Sequence, residues 1–445
     1  MCLQIRAMPR LVTIRLAQDG RPNASVYAHF HRRSAAPISA TVKIGRFMSY
    51  DFSTLVCRTN SGSKKWDLMA TSCPNVTADV APFSVADLDI PHAPEIVSAL
   101  TEFLTSGGIL GYAQPSAAYL DAVASWMLRR HGWTIDPSWV CMTPGIVPAI
   151  YTAIRAFSEP GDAVIISTPV YYPFFEAIER TGRTLARNPL ILENGHYRYD
   201  FEQLEELASR PDTKVMLLCS PHNPIGRAWS RDDLHRIADI CLSHGVVLVS
   251  DEIHFDLVMP GTTHTVTALA HPEISRQLIV CTAPSKSFNI AGLATSNIII
   301  PDVNMRHRFR QEHAAQGETA VNTLGYVACQ AAYERAEGWL DALIEHVQHN
   351  HEVLRDFLAE RMPEIVVHKL EASYLQWLDL RALGIVPERL EELFTQEAHV
   401  FFDEGYIFGE EGAGFERMNI ACPTETLLAG LERMVAVLER ELGRA

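Results

Sequence analysis

The sequence predicts an α/β fold: a mainly parallel sheet flanked by helices, with a smaller α+β domain. From residue 93 onward, segments with apolar residues at helical spacing alternate with short runs of Val, Ile and Leu. These runs are almost continuously apolar, as expected for strands that are buried on both faces of a parallel sheet. After residue 318, long helical stretches precede a shorter mixed region, and this change of pattern predicts the second domain.

Local signals predict where helices and strands begin and end. The stretch "AYLDAVASWMLRRHG" carries basic residues just before Gly132, which is typical of a helix C-terminus. Ser230 followed by Asp233 predicts a helix start, and Gly245 predicts its end. That helix separates two strand-like runs, so a right-handed crossover is expected. The strand-like runs span residues 163–168, 214–220, 245–252, 277–283 and 296–301.

We predict three parts of the chain. A large domain spans residues 93–318, and a small domain combines residues 48–92 with 319–445. Residues 1–47 form an N-terminal extension with eight basic residues and one acidic residue. A transit peptide and a genuine extra element are alternatives, but Met48 begins a globular pattern, which favours translated upstream sequence. We therefore expect this extension to be disordered or absent from the native protein.

Composition argues against several classes of function. A net charge of −15 disfavours nucleic acid as a partner, because phosphate binding needs a basic surface. No apolar run reaches the roughly 18 residues of a membrane span. The nine cysteines are scattered without a C-x-x-C pair, which argues against a zinc site or a disulfide framework and indicates a reducing compartment, the cytoplasm. The histidines of "HVQHNHE" (346–352) lack a metal-binding spacing, so we expect them to be solvated and predict no metal.

Three polar side chains follow predicted strands: Asn223 in "LLCSPHNPIG", Asp251 in "VLVSDEIH" and Lys286 in "IVCTAPSKSF". Ligands of open parallel sheets bind beyond the carboxyl ends of the strands, so these side chains should lie close together. A lysine amine forms a Schiff base with an aldehyde, and pyridoxal 5'-phosphate (PLP) is the common biological aldehyde for that role. Asp251 would keep the ring nitrogen of PLP protonated, and Asn223 would donate to the phenolic oxygen.

The phosphate and the ring of PLP need further partners. The stretch "TPGIVPAIYTAI" (143–154) predicts a helix whose N-terminal N–H groups, on Ile146 and Val147, would bind an anion. Ser285 or Ser287, on either side of the lysine, would add a hydroxyl donor. Tyr171 in "TPVYYPFF" would stack on the pyridine ring.

Several motifs resemble those of a known family. "SPHNPIGRAW", "SDEIH", "SKSFNIAGL" and "GIVPAI" are similar to motifs of PLP-dependent fold-type-I enzymes of the class I/II aminotransferase superfamily. "KWDLM", "VADLDI", "GYAQP", "TPVYYPFFEAI", "ASYLQWLDL" and "GAGFERMNIACP" extend the resemblance over about residues 50–440. Together they resemble the MalY/PatB branch, the cystathionine β-lyase-like C–S lyases.

This resemblance implies roles for matching residues. Lys286 would carry PLP and later move the Cα proton of the substrate. Arg417 would clamp the substrate α-carboxylate, with Asn223 beside it. His254, where many aminotransferases of this fold have a tyrosine, would lie near the phenolic oxygen. Tyr112 would reach the phosphate across a dimer interface, so the active enzyme would be a homodimer.

The residues alone leave the reaction open, because C–S elimination and transamination share their early steps. The resemblance implies β-elimination of L-cystathionine or related S-substituted cysteines, which yields a thiol, pyruvate and ammonia. An aminotransferase is the alternative enzyme. A regulatory PLP protein that acts through a protein partner is a further alternative.

Overall fold

The chain consists of two compact units, Met1–Ser49 and Tyr50–Ala445. The structure is a computed structural model that describes residues 3–7, 10–14, 50–73, 76, 81–317 and 321–444. In the first unit, strands β1 (Leu3–Ala7) and β2 (Arg10–Ile14) pair antiparallel. The rest of the predicted N-terminal extension lies outside the described residues, so the expectation for that extension stays a prediction.

The second unit contains the following elements. Its strands are β3 (Ala81–Pro82), β4 (Val140–Thr143), β5 (Ala163–Ile166), β6 (Thr184–Arg187), β7 (Ile191–Glu193), β8 (His196–Arg198), β9 (Thr213–Cys219), β10 (Val247–Asp251), β11 (Leu278–Thr282), β12 (Ser296–Ile299), β13 (Val366–Val367), β14 (Leu375–Asp379), β15 (Val400–Phe401), β16 (Asp403–Glu404) and β17 (Phe415–Asn419). Its helices are α1 (Lys64–Ser72), α2 (Pro94–Thr105), α3 (Ala117–His131), α4 (Ile146–Phe157), α5 (Pro173–Arg180), α6 (Phe201–Ser209), α7 (Arg231–His244), α8 (Thr267–Ala270), α9 (Pro284–Ser287), α10 (Val303–Ala315), α11 (Thr323–Arg335), α12 (Glu337–Arg361), α13 (Pro387–Glu392) and α14 (Thr424–Glu441).

The central sheet has seven strands in the order β4-β12-β11-β10-β9-β5-β6. Alternate residues of its strands enter two different cores: Ile165 and Met216 pack on one face, with α7, and Ile166 and Leu217 pack on the other, with α4. This burial on both faces explains the nearly continuous apolar runs. The predicted α/β fold with a mainly parallel sheet is confirmed.

One strand departs from the parallel arrangement. β12 pairs antiparallel with both β11 and β4. The connection from β11 to β12 contains only one short α-helix, α9, besides a single 3-10 turn. Because a parallel return needs a long crossover, usually through a full helix, the chain turns back beside β11 instead.

Several predicted helix ends are confirmed. α3 ends at Gly132 and α7 at Gly245, with φ of 67° and 69°, the left-handed conformation that favours glycine. The start of α7 is a capping box, in which the side chains of Ser230 and Asp233 each accept a hydrogen bond from the backbone N–H of the other residue. Among the described helices, none combines the length and apolar character of a membrane span.

The C-terminal part contains a second sheet. Its order is β13-β14-β17-β16, all antiparallel, and α12 packs against α14. The helix α11 packs against α2 and α3, which lie in the predicted large domain. The division into residues 93–318 and 48–92 plus 319–445 stays a prediction.

Candidate active site

A cavity of about 340 Å³ lies at the carboxyl ends of the central strands. Of the predicted site residues, nine line it: Ile146, Val147, Tyr171, Asn223, Asp251, His254, Ser285, Lys286 and Arg417. Asp251 is the last residue of β10, and Asn223 and Lys286 each lie four residues beyond a strand end. The parallel strands thus position a carboxylate, an amide and an amine around the same cavity.

The amine of Lys286 faces this cavity from α9. Its Nζ donates to the carbonyl oxygen of Ala86 at 2.8 Å. Burial lowers the pKa of Lys286 to about 8, although the nearby carboxylates of Asp87 and Asp251 act to raise it. A lysine with this pKa has more neutral, nucleophilic amine near neutral pH than an ordinary lysine does.

Asp251 is a buried carboxyl group that accepts one short-range hydrogen bond, from the N–H of Ile253 at 3.1 Å. Burial raises the pKa of Asp251 to about 7, and the charge of Lys286 opposes this rise only partly. Within the described part of the chain, no cationic side chain forms an ion pair with it. A cationic group bound in the cavity would therefore stabilise the ionised carboxylate.

Arg417, on β17, enters the cavity from the second sheet. Its Nη1 donates to Oδ1 of Asn223 at 2.9 Å, and its Nη2 pairs with Asp403, the residue opposite it on β16. The guanidinium also lies over the ring of Phe408, with its carbon 4.7 Å from the ring centroid. These contacts hold the fork in one orientation beside Asn223.

The N-terminus of α4 supplies backbone donors. Gly145 precedes the helix with a φ of 128°, which favours glycine, and none of the described side chains caps this end. Ser285 lies on the same cavity. Ser287 does not, because its hydroxyl donates to Oδ2 of Asp256 at 2.6 Å. Of the two serines left open by the sequence, only Ser285 lines the cavity.

Aromatic rings complete the cavity. Tyr171 lines it, and burial raises the pKa of Tyr171 above its usual value. His254 is fully buried, and burial together with the charges of Lys286 and Arg417 lowers the pKa of His254 to about 3. His254 is therefore neutral at pH 7 and offers a ring nitrogen to a ligand.

Tyr112 lies apart from these residues. It is fully exposed and does not line the cavity, and its neighbours Ile109 and Leu110 are exposed too. Its predicted contact would come from a second copy of the chain, so that contact stays a prediction.

Sequence reasoning gave no role to the segment 83–89, which forms the wall opposite the strand ends. Val85 and Ala86 line the cavity. Val85 has a φ of 54°, which is rare for a β-branched residue; its N–H donates to Asp403 at 3.0 Å, and its carbonyl accepts from Asn419 at 2.8 Å. The motif "VADLDI" marked this segment, but nothing local showed that it would meet Arg417 and Lys286.

The donors and acceptors around the cavity fit PLP. A cradle of helix N–H groups suits a phosphate, and a buried carboxylate without a cationic partner among the described residues suits a protonated ring nitrogen. Two buried atoms, Nδ1 of His254 and Nε of Arg417, have no hydrogen-bond partner in the described part of the structure. Buried polar groups of this kind are normally satisfied, so a polar ligand suits the cavity.

Two of the three histidines of the stretch 346–352, on α12, differ from the expectation, whereas His349 is exposed as predicted. His346 contacts the carbonyl oxygen of Cys422 at 2.8 Å, and His351 contacts Oε1 of Gln376 at 2.7 Å. His351 is buried and His346 is only partly exposed, because α12 packs against α14 and His351 reaches β14. Elsewhere on the described surface, His235, Asp239 and His271 place ligand atoms within 4.8 Å of one another. The prediction that the protein needs no metal stays a prediction.

Comparison with known proteins places the chain in a family. Residues 78–434 match the family Aminotransferase class I and II. The chain is 40% identical to cystathionine beta-lyase PatB of Bacillus subtilis over 381 residues, 86% of this chain and 98% of that protein. It is 34% identical to protein MalY of Escherichia coli over 389 residues, 87% of this chain and 98% of that protein.

Solved structures agree. Cystalysin from Treponema denticola, whose structure contains a pyridoxal 5'-phosphate cofactor, has a TM-score of 0.87 and 44% identity, covering 88% of this chain and 100% of that chain. The PLP-bound C-S lyase from Staphylococcus hominis has a TM-score of 0.81 and 30% identity, covering 88% and 99%. The fold-type-I expectation is confirmed. The chain belongs to the aminotransferase class I and II family, in the branch that contains PatB and MalY.

Proposed function

We propose that this protein is a PLP-dependent carbon–sulfur β-lyase. It converts L-cystathionine or a related S-substituted cysteine, with water, into a thiol, pyruvate and ammonia. One observation carries the proposal: a single cavity presents the amine of Lys286, the carboxyl group of Asp251 and the guanidinium of Arg417. The likeness to PatB and to PLP-bound C–S lyases supports the choice of reaction.

The cavity residues would hold PLP, which supplies an acceptor for the electron pair left at the substrate Cα. Lys286 would bind it covalently, Asp251 would pair with its ring nitrogen, and Tyr171 would cover one face of the ring. The remaining contacts would come from Ile146, Val147 and Ser285 at the phosphate and from Asn223 and His254 at the phenolic oxygen.

Lys286 also moves a proton. With the substrate bound, the free Nζ would remove the proton from the substrate Cα. Its pKa of about 8 suits a base that must accept and then release a proton near neutral pH. The carbonyl oxygen of Ala86 accepts a hydrogen bond from the free Nζ, so it would hold the amine at the cavity wall whenever Lys286 is not bonded to PLP.

Arg417 orients the substrate. Its guanidinium is fixed by Asp403 and Asn223, so little conformational entropy is lost when a carboxylate binds. A substrate held there by its α-carboxylate places its Cα near the amine of Lys286, since both groups line one cavity.

We also propose a homodimer in which Tyr112 reaches the phosphate of the partner subunit. The exposed apolar stretch of Ile109, Leu110 and Tyr112 supports it, because such patches are commonly covered by another chain. Light scattering would give the mass of a dimer, and Tyr112→Phe would weaken PLP binding; a monomeric holoenzyme would contradict the proposal.

We propose that the protein works in the cytoplasm. All the described cysteines are free thiols, and all but Cys57 are buried, which suits a reducing compartment. Cell fractionation with an antibody tests this, and recovery in an oxidising compartment would contradict it.

The deciding experiment omits any keto acid. Purified holoenzyme is incubated with L-cystathionine, and pyruvate and free thiol are measured together, with Lys286→Ala as the control. Equal amounts of both products from the wild type, and neither from the variant, are expected. Amino transfer to an added keto acid without thiol release would instead establish an aminotransferase. A protein captured from cell extract only in the presence of PLP would support the regulatory alternative.

A further inference from the structure

One cation on the cavity wall has no role in the proposed chemistry. Arg417 is engaged by Asp403 and Asn223, and Lys286 by the carbonyl oxygen of Ala86. Lys64 lines the same cavity and is exposed. Among the described residues, nothing forms a hydrogen bond or an ion pair with its amine.

The backbone that carries Lys64 is firmly anchored. Lys64 is the first residue of α1, and the next two residues, Lys65 and Trp66, are buried. The Nζ of Lys65 and the Nε1 of Trp66 both bond to the carboxylate of Asp89, at 2.5 Å and 2.8 Å. Asp89 is the last residue of the segment 83–89, which contributes to the cavity wall. The start of α1 is therefore fixed to that segment, and the amine of Lys64 extends from this fixed backbone.

The position of Lys64 indicates which part of a substrate it can meet. The α-carboxylate of the substrate would lie at Arg417 and its Cα at Lys286. The group attached to sulfur is then the part of the substrate that would occupy the rest of the cavity. We propose that Lys64 binds a carboxylate at the far end of that sulfur substituent. This inference rests on the proposed function and deepens it, because it names the substrate class: S-substituted cysteines with a distal carboxylate, of which cystathionine is one.

The expected effect is moderate, since Lys64 is exposed and solvent screens an exposed ion pair. Replacing Lys64 with methionine removes the charge and keeps most of the aliphatic stem. The catalytic efficiency kcat/KM should then fall about fivefold for a substrate with a distal carboxylate, which is the upper range for such pairs. A substrate of the same length without the charge should be unaffected.

The test compares two substrates of matched length, S-(2-carboxyethyl)-L-cysteine and S-propyl-L-cysteine, on the holoenzyme. Lys64→Met should lower kcat/KM for the first and leave the second unchanged, and Lys64→Arg should keep the preference. The matched control is Lys214→Met, which removes the same charge at the amino end of β9. Equal changes with both substrates, or no change with either, would overturn the inference.

A binding measurement separates this inference from the proposed function. In a Lys286→Ala background, which cannot turn over substrate, calorimetry gives the dissociation constants of both compounds with and without Lys64→Met. A loss of affinity for the carboxyethyl compound alone supports the role of Lys64 even where the wild type releases no pyruvate. An unchanged affinity overturns it even where elimination is confirmed.

Discussion

Two walls of one cavity are built in different ways. The strand-end wall consists of Asn223, Asp251 and Lys286, each within four residues of the end of a central strand. The opposite wall, the segment 83–89 with Arg417, depends on hydrogen bonds between residues that are distant in sequence. Some join residues 200 and more positions apart, such as Lys286 to Ala86 and Asn419 to Val85, and nearer pairs such as Lys65 and Asp89 add to them. A local pattern therefore specifies the first wall, whereas only the completed fold assembles the second.

Asp251→Asn tests the strand-end wall and should have the largest effect. The amide keeps the shape of the side chain and can still accept the hydrogen bond from Ile253, but it cannot carry the negative charge that keeps a ring nitrogen protonated. We expect a fall in kcat of about 10³-fold, about 4 kcal/mol. Pyruvate release measures it, and a melting temperature of the apoprotein no lower than that of the wild type shows that the fold is intact. Retention of most activity would remove Asp251 from the cofactor site.

Lys65→Met tests the opposite wall through stability. Lys65 and Asp89 form a buried ion pair at 2.5 Å, and Arg58 and Trp66 also bond to Asp89. Removing one partner leaves part of a buried charge uncompensated, so the free energy of unfolding should fall by about 3 kcal/mol. Urea denaturation measures this. A loss below about 1 kcal/mol would show that Arg58 and Trp66 suffice to hold the segment.

The same contrast explains what the sequence could predict. The α/β fold and the five quoted strand runs follow from apolar patterning. β6 was missed because it is an edge strand with two exposed residues. β4 was missed because its four residues, VCMT, contain only one Val and no Ile or Leu. Asp403 was missed as well, since its pairing with Arg417 depends on the register of β16 and β17. No local signal distinguishes such an aspartate from a solvated one.

Arg417→Lys tests the contact between the two walls, where Arg417 of the opposite wall bonds to Asn223 of the strand-end wall. Lysine keeps the charge next to Asp403 but loses the fork that also bonds to Asn223. We expect kcat/KM to fall about thirtyfold, about 2 kcal/mol, mainly through KM. An amine substrate without an α-carboxylate is the control, because its turnover should not change. A fall in kcat alone would point to a role in the chemical step instead.

Glu404→Gln tests carboxyl groups on β16 and β17, the strand pair that carries Asp403 and Arg417. Glu404 faces Glu416 across β16 and β17, and burial raises the pKa of Glu404 to about 7. The folded state thus binds this proton more tightly than the unfolded chain does. Stability is complete below about pH 4.5 and declines as the pH rises to about 7.

The glutamine variant lacks this decline. At pH 8 it should be more stable than the wild type by about 1.5 kcal/mol, a figure reduced for partial exposure of the side chain. At pH 5 the two proteins should differ little. Melting temperatures at both values of pH measure the effect, and an equal gain at both would mean that the titration of Glu404 is not its cause.

The two serines that flank Lys286 give the smallest expected effects. Both lie on the short helix α9, and their hydroxyl groups point in different directions. Ser285 faces the cavity, whereas Ser287 donates to Asp256, which also accepts from Trp126 at 3.0 Å. Ser287→Ala should therefore lower the free energy of unfolding by about 1 kcal/mol and leave PLP affinity unchanged. Ser285→Ala should do the reverse, weakening PLP binding about fivefold, about 1 kcal/mol. Titration of the apoproteins with PLP and thermal melting measure both. If Ser287→Ala weakens PLP binding as much as Ser285→Ala does, both substitutions disturb α9 as a whole. The direction of each hydroxyl group would then not decide its role.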